Sequence, residues 1–106
     1  MIKKILTAAF IPAQEARFPN PPDLHAVYFD STTPGDVEDT GPALSIVHDC
    51  TVELYATSIS EGNEAKQRLG NDLNALGIHY STQGWYWLSD IRRYQEIIEF
   101  TYIEKT

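Results

Sequence analysis

Residues 44–57 read LSIVHDCTVELYAT, and this stretch decides the fold because its side chains alternate between two faces. Strict period-two alternation predicts a β-strand with one dry face and one wet face. The same pattern returns in residues 94–104, which predicts a second long strand. The dry side of the first strand is formed by Leu44, Ile46, His48, Cys50, Val52, Leu54 and Ala56, and one side of the second by Tyr94, Ile98, Phe100 and Tyr102.

The length of the first strand carries a further prediction. Residues 44–57 would span roughly 46 Å at about 3.3 Å per residue. A compact domain of 106 residues has a diameter of only about 35 Å. The strand must therefore either bend, for which His48-Asp49 is the best place, or project from the body. A projecting ribbon needs a partner surface in water, which is a hint of oligomerisation.

Shorter elements surround these strands. In chain order, the sequence predicts a helix over 2–10, a strand over 25–30, a loop over 31–42, a helix over 60–76, strand segments over 78–82 and 85–88, and a turn or bulge at 83–84.

The helix over 60–76 has recognisable ends. Ser60 is predicted to cap its first turn, and Gly77 to provide the left-handed residue that ends it, followed by the apolar contact of Ile78. Gly70 indicates either close packing against the sheet or a tolerated cost of about 1 kcal/mol. The apolar stripe that would face the sheet consists of Ala65, Leu69, Leu73 and Leu76.

Composition excludes several classes of function. The chain has 106 residues, which predicts one domain over 1–106, and its formal charge is −7. No run of Lys or Arg exceeds a pair, so specific nucleic-acid binding is not expected. The first eleven residues imitate a signal peptide, but helical spacing of Ile2, Ile5 and Leu6 equally predicts a short docked helix. No apolar stretch is long enough for a membrane span, and a cytosolic protein is expected.

Candidate chemistry is sparse. His48 and Cys50 share one side of a strand, but His25 and His79 do not complete a closely spaced zinc-ligand pattern. His48 and Asp49 point to opposite faces, and neither G-x-S-x-G nor a phosphate-binding glycine loop is present. The sequence therefore predicts no enzyme activity, no metal and no cofactor. Cys50 is predicted to be a small core residue, and His48 to lie at a sheet edge or interface.

Two segments are candidates for contacts with partners. Trp85 and Trp87 share one strand face and Tyr86 takes the other, so the tryptophans are predicted either in the core under the helix or, with Tyr86, in a protein interface. The predicted loop contains Asp36, Glu38 and Asp39. These acids form a solvated loop or, if the protein is a ring around passing DNA, the lining of a conduit that does not hold phosphate.

The order of these elements resembles a family of phage morphogenesis proteins. They are the tail-terminator or tail-completion proteins of long-tailed phages, also described as minor capsid or head–tail joining proteins. The resemblance covers nearly the whole chain and rests on pattern and order. It is carried by IP at 11–12, RFPNPP at 17–22, HAVYFD at 25–30, TVELYAT at 51–57, the helix over 63–76 with its Gly-Ile exit, and YQEIIEFTYI at 94–103.

The resemblance implies both a fold and a role. The fold is α+β, with a mainly antiparallel sheet of about four strands flanked by two helices. The role is that of a subunit in a homo-oligomeric, hexameric ring that caps the tail tube protein and docks on the head connector or stopper protein. Such a protein assembles in the bacterial cytoplasm and resides at the head-to-tail junction of the virion. A small ligand-binding or regulatory domain of ferredoxin-like type is the alternative.

Overall fold

The computed structural model describes residues 1–35 and 45–105, and these residues form an α+β fold with two helices and one six-stranded mixed sheet. The strands are ordered β1-β2-β3-β6-β4, and β5 also pairs with β6. β1 runs parallel to β2, and the other pairs are antiparallel. The elements are α1 (Ile2–Ala8), β1 (Ala13–Glu15), β2 (His25–Pro34), β3 (Ser45–Ala56), α2 (Ile59–Ala75), β4 (Tyr80–Thr82), β5 (Tyr86–Leu88) and β6 (Arg93–Lys105).

The two long strands and the two helices predicted from the sequence are confirmed. The predicted mainly antiparallel sheet of about four strands agrees broadly with the structure but is less detailed, because three-residue strands add to the sheet on both sides. The loop predicted over 31–42 is wrong at its start, since β2 continues to Pro34 and pairs with β3 up to Ile46. Thr32 and Thr33 favour a strand, and Pro34 is tolerated because β2 is at the sheet edge there. The rest of that loop, with Asp36, Glu38 and Asp39, lies outside the described residues.

Both helices lie on one side of the sheet, which we call the helix face. Alternating residues of β2, β3 and β6 point to this face and form one apolar core with α1 and α2, as the pairing register and burial show. The opposite side, the open face, is uncovered by helices in the part of the chain described. The largest fully buried apolar side chains are Leu6, Ile11, Val52, Leu54, Leu69, Leu73 and Ile98.

The ends of α2 differ partly from the prediction. The N-cap is Ser58, whose side-chain oxygen accepts a hydrogen bond from the Glu61 amide at 3.2 Å, and Ser60 lies inside the helix. Gly77 has the predicted left-handed backbone (φ 72°). Leu76, predicted on the buried stripe, is 56% exposed because it is already the C-cap residue. Close packing at Gly70 is confirmed, since a methyl group there would collide with the Tyr80 hydroxyl.

The molecule is elongated, with principal dimensions of 52 × 27 × 22 Å. Its radius of gyration is 15.3 Å, against about 13 Å for a compact chain of this length. The pairing of β3 with β6 runs without interruption from Ser45–Lys105 to Ala56–Tyr94, so the ribbon does not break near His48-Asp49. Of the two predicted alternatives, projection agrees with the long dimension of 52 Å. We call residues 31–34, 45–49 and 101–105 the arm.

Two further predictions concern the ferredoxin-like alternative and membrane-spanning helices. The ferredoxin-like alternative implies the element order β-α-β-β-α-β, whereas the described elements follow the order α-β-β-β-α-β-β-β. Neither α1 nor α2 has the length and apolarity needed to cross a bilayer, and the described residues contain no other α-helix.

The position of the N-cap predicts a difference between two serines. Ser58→Ala removes the acceptor for the Glu61 amide and is expected to lower the free energy of unfolding by about 1 kcal/mol. Ser60→Ala changes a residue inside the first turn and is expected to shift it by less than about 0.5 kcal/mol. Urea unfolding of the two variants measures the difference. Equal losses, or a larger loss for Ser60→Ala, would contradict the assignment of the cap.

Candidate functional site

The residues predicted as an interface do not form one site. His48 lies in the arm, opposite Tyr102 on β6. Trp87 lies at the other end of the sheet, opposite Tyr94. Their partners on β6 are eight positions apart, which corresponds to roughly 26 Å. Asp36, Glu38 and Asp39 lie outside the described residues, so their relation to either end is not assigned.

His48 joins three strands at the base of the arm. Its Nδ1 donates to the Asp30 carboxylate on β2 at 2.9 Å, and its Nε2 donates to Glu104 Oε2 on β6 at 2.7 Å. Its ring stacks on Tyr102, with centroids 4.3 Å apart and planes 5° apart. We call Asp30, His48 and Glu104 the clamp. Because both ring nitrogens donate to carboxylates, the clamp favours the imidazolium form of His48.

Electrostatics at the clamp follow from this geometry. Burial alone would lower the pKa of His48, but the hydrogen bonds and charges of Asp30 and Glu104 outweigh it and raise that pKa. Burial, followed by the charge and hydrogen bond of Asp30, raises the pKa of the Cys50 thiol to about 12. Burial and the same carboxylate raise the pKa of Tyr102 to about 12. The Cys50 thiol is therefore neutral, and both ring nitrogens of His48 already form hydrogen bonds. Such a pair can hold neighbouring strands together but is unsuited to nucleophilic attack.

A groove of about 1360 Å³ opens between the clamp and the ends of the helices. One wall comes from Met1 and from the segment after α2, and the floor from β3 and β6. Among residues 1–35 and 45–105, no group of three His, Cys, Asp or Glu side chains is arranged to hold a metal ion. The floor and walls include Asp30, His48, Cys50, Phe100, Tyr102, Leu76, Ile78 and Tyr80.

The arm presents two unlike strand edges. Ala26 donates to Pro12 and Tyr28 accepts from Ala16, so the peptide groups of even-numbered β2 residues point away from β3. Beyond β1, the outward groups belong to Asp30 and Thr32, and no strand in the described residues pairs with them. On the other side, β4 pairs with β6 only as far as Phe100, so residues 101–105 form a second edge. Unpaired edges of this kind accept another chain.

Apolar side chains accompany these edges on the open face. Ile103 is 63% exposed, Phe29 is also exposed, and Val47 is half-buried. Ile103 and Val47 lie directly opposite each other on β6 and β3, and Thr33 on β2 completes that row. This part of the sheet therefore combines an apolar surface with free backbone groups, which is the combination found where strands join across protein interfaces.

Residues 85–87 were predicted either in the core or in an exposed interface, and the structure places them differently from one another. Trp85 lies against Gly62 at the start of α2, and its Nε1 donates to Asn63 Oδ1 at 2.7 Å. Trp85 packs at the margin of the core, which agrees with the prediction of a core position. Trp87 is 47% exposed and contacts Tyr94, so the prediction of a core position is wrong for Trp87. Tyr86 is 69% exposed and therefore available for contacts.

Glu96 is a buried carboxylate that the sequence reasoning missed. It is completely inaccessible, and its Oε1 accepts the amide hydrogens of Gln83 and Gly84, both at 2.8 Å. Its Oε2 is 3.1 Å from Lys66 Nζ on α2. Glu96 therefore attaches the 83–84 turn to both β6 and α2. The signal in the sequence is a charged residue between Tyr94 and Ile98 on the apolar side of a strand.

Comparison of the sequence with protein-family models gives no match, and comparison with curated proteins gives none either. The resemblance to tail-terminator proteins therefore rests on the residue pattern described above.

The buried position of Glu96 predicts a large effect on stability. Glu96→Gln removes the charge that pairs with Lys66 and is expected to lower the free energy of unfolding by roughly 2–4 kcal/mol. Glu99→Gln is the matched control, because Glu99 is exposed on the same strand and is expected to cost less than about 0.5 kcal/mol. Chemical denaturation of both variants provides the measurement. A Glu96→Gln loss no larger than that of the control would contradict the role of this carboxylate.

The raised pKa of His48 predicts a pH-dependent contribution to stability. A folded-state pKa above the usual 6.5 means that the folded chain holds this proton more tightly than the unfolded chain. The contribution is fully present below pH 6.5 and is lost as the pH rises through the folded-state value. We therefore expect His48→Gln to reduce stability more at pH 6 than at pH 9, measured by urea unfolding at both values.

His25 provides the internal control for this prediction. Burial and the charge of Arg93 lower its pKa, although the Pro22 carbonyl opposes them, so its contribution to stability changes below pH 6.5 rather than above it. In His48→Gln, the loss of stability on acidification due to His25 is expected to remain. A difference between wild type and His48→Gln that is constant from pH 6 to pH 9 would rule out titration of the clamp.

Proposed function

We propose that this chain is a structural subunit of a phage tail, a tail terminator or tail-completion protein that forms a hexameric ring. The ring caps the tail tube protein and offers a docking face to the head connector or stopper protein. The role is assembly without catalysis, and the protein resides at the head-to-tail junction after assembly in the bacterial cytoplasm. The observation that carries the proposal is the arm, which extends beyond the helices and has free strand edges.

The arm supports self-assembly because it is poorly suited to stand alone. Of the described arm residues, Tyr102 alone belongs to the apolar core, and Ile103 is largely exposed. A thin ribbon with exposed backbone groups gains stability when another surface covers it. A role in which copies of the chain complete one another supplies that surface.

The two edges of the arm also suit a closed ring. One edge belongs to β2 and the other to β6, on opposite sides of the same sheet. Contact between unlike surfaces of identical subunits is head-to-tail, and it closes into a ring when the rotation between neighbours divides a full turn. Pro34 has no amide hydrogen and restricts pairing on the β2 edge to the residues before it, which favours a defined register.

The charge of the chain fits a ring through which DNA passes. The formal charge is −7, so the subunit repels phosphate rather than holding it. Asp36, Glu38 and Asp39 remain candidates for the lining of the conduit. Specific nucleic-acid binding and membrane binding form no part of the proposal.

One observation favours a second candidate function. The groove beside the clamp has about 1360 Å³ and contains both apolar and polar side chains, which is the composition of small-molecule sites. A ligand-binding or regulatory domain would use this groove and would have no need of the free edges. It predicts a chain that stays monomeric or dimeric.

The proposal is tested by assembly. Purified protein is measured by multi-angle light scattering over a range of concentrations, alone and with tail-tube protein, and the products are viewed by negative-stain electron microscopy. Rings of about six subunits, or capped tubes of fixed length, are expected. A chain that stays monomeric at high concentration and ignores tube protein would contradict the proposal and favour the second candidate.

A pair of variants connects assembly to the arm. Ile103→Gln replaces an exposed apolar side chain on the arm and is expected to weaken self-association about tenfold or more, since burial of such a side chain contributes about 1.5–3 kcal/mol. Ile59→Gln makes the same change at an exposed site at the start of α2, away from the arm, and is expected to leave association unchanged. Both variants are expected to fold normally. Equal association of the two variants would show that the arm is not the contact.

A further inference from the structure

Phe10 occupies a backbone position that normally takes glycine. At the end of α1, the Phe10 amide donates to the Thr7 carbonyl and the Ile11 amide donates to the Leu6 carbonyl, both at 3.0 Å. These two bonds form a Schellman cap, in which the residue after the C-cap adopts the left-handed conformation. Phe10 has φ 59°, whereas the chain places glycine at the corresponding position after α2.

The side chain of Phe10 is not buried in the fold, so its packing does not offset the backbone strain. It is 78% exposed, the highest value among the large exposed hydrophobic side chains of the described residues. Left-handed backbone in a bulky residue is uncommon, and such residues concentrate where function requires them. A rigid aromatic side chain that projects from a strained turn is suited to be an interface anchor.

A matching hollow lies on the open face of the body. It has a volume of about 450 Å³. His25 and Tyr55 stack there with centroids 4.8 Å apart, and Phe18 meets the His25 ring edge-on at 5.3 Å. We call this site the aromatic hollow, and its remaining walls include Val27, Ile91 and Arg93.

Arg93 supplies an independent sign that the aromatic hollow is incomplete. Its Nε atom is buried and has no hydrogen-bond partner among the described residues. A buried donor without an acceptor is costly, and a ligand or partner that brings a carbonyl or carboxylate oxygen removes that cost. The occupant of the hollow should therefore combine an apolar or aromatic side chain with an exposed backbone or acidic oxygen.

We propose that Phe10 of one copy inserts into the aromatic hollow of a neighbouring copy, with a backbone carbonyl oxygen of its turn as the acceptor for Arg93. Within one chain the two sites belong to opposite sides of the sheet, because α1 packs on the helix face and His25 and Tyr55 point to the open face. The contact is therefore head-to-tail. This inference rests on the proposed function and identifies a second contact in the ring besides the arm.

A glycine substitution at position 10 distinguishes an effect on the contact between copies from an effect on folding stability. Phe10→Gly relieves the left-handed strain, so the monomer is expected to be as stable as wild type or more stable. Loss of one buried aromatic side chain at the interface is expected to weaken self-association roughly tenfold to a hundredfold. Thermal unfolding and sedimentation velocity measure the two properties. Association equal to that of wild type would overturn the inference.

Cross-linking tests which surfaces meet. Chains with Phe10→Cys and chains with Ile91→Cys are mixed and oxidised, and one of them carries a mass tag so that the mixed disulfide is identified. Ile91 is exposed at the hollow, and Cys50 is buried in both chains. The mixed disulfide is expected to exceed, at least tenfold, that formed by Phe10→Cys with Leu76→Cys, a control of similar exposure.

The outcomes distinguish this inference from the proposed function. Rings that form normally with Phe10→Gly, or mixed disulfides no more abundant than the control, overturn the contact and leave the ring standing. A wild-type chain that never self-associates, alone or with tube protein, overturns both. A hollow that binds a small aromatic carboxylate such as phenylacetate while Phe10→Gly associates normally assigns it to a ligand and also overturns the contact.

Discussion

The structure depends on the uninterrupted pairing of β3 with β6. Twelve residues of each strand are in register, from Ser45–Lys105 to Ala56–Tyr94. β2, β4 and β5 pair directly with this ribbon, β1 joins it through β2, and both helices pack on one side of it. Because the ribbon is longer than the core beneath it, one end must leave the body. The elongated shape, the free edges and the exposed apolar side chains of the arm are all consequences of that single excess of length.

Polar side chains hold the ribbon at two places along its length. At the base of the arm, His48 joins β2, β3 and β6 through two carboxylates. At the other end, Glu96 joins β6 to the 83–84 turn and to α2. Hydrogen bonds to charged groups are directional, so they fix register and position where hydrophobic contact would allow sliding. The two clusters thus give a thin sheet defined ends.

Sequence reasoning was sound where a single periodicity dominated. The alternation in residues 44–57 and 94–104 predicted β3 and β6, and the glycine at position 77 predicted the end of α2. It failed where structure depends on tertiary neighbours. β1 has only three residues and exists because β2 lies beside it, and β2 extends through Thr32 and Thr33 because β3 is its partner. The clamp joins residues 18 and 56 positions apart, so no local pattern contained it. Glu96 was detectable as a charge on an apolar strand face, but its partners were not.

The arm and Phe10 have one physical property in common. Each carries a cost within the isolated chain: unpaired strand edges and an exposed isoleucine in one case, and left-handed backbone under an exposed aromatic ring in the other. Local features that conflict with the stability of the monomer are expected where a sequence serves something besides its own fold. In the proposed assembly, contact with another copy would relieve both conflicts, at the arm edges in one case and at the aromatic hollow in the other. The proposed self-assembly would therefore account for both with a single partner, whereas a ligand in the groove would account for neither.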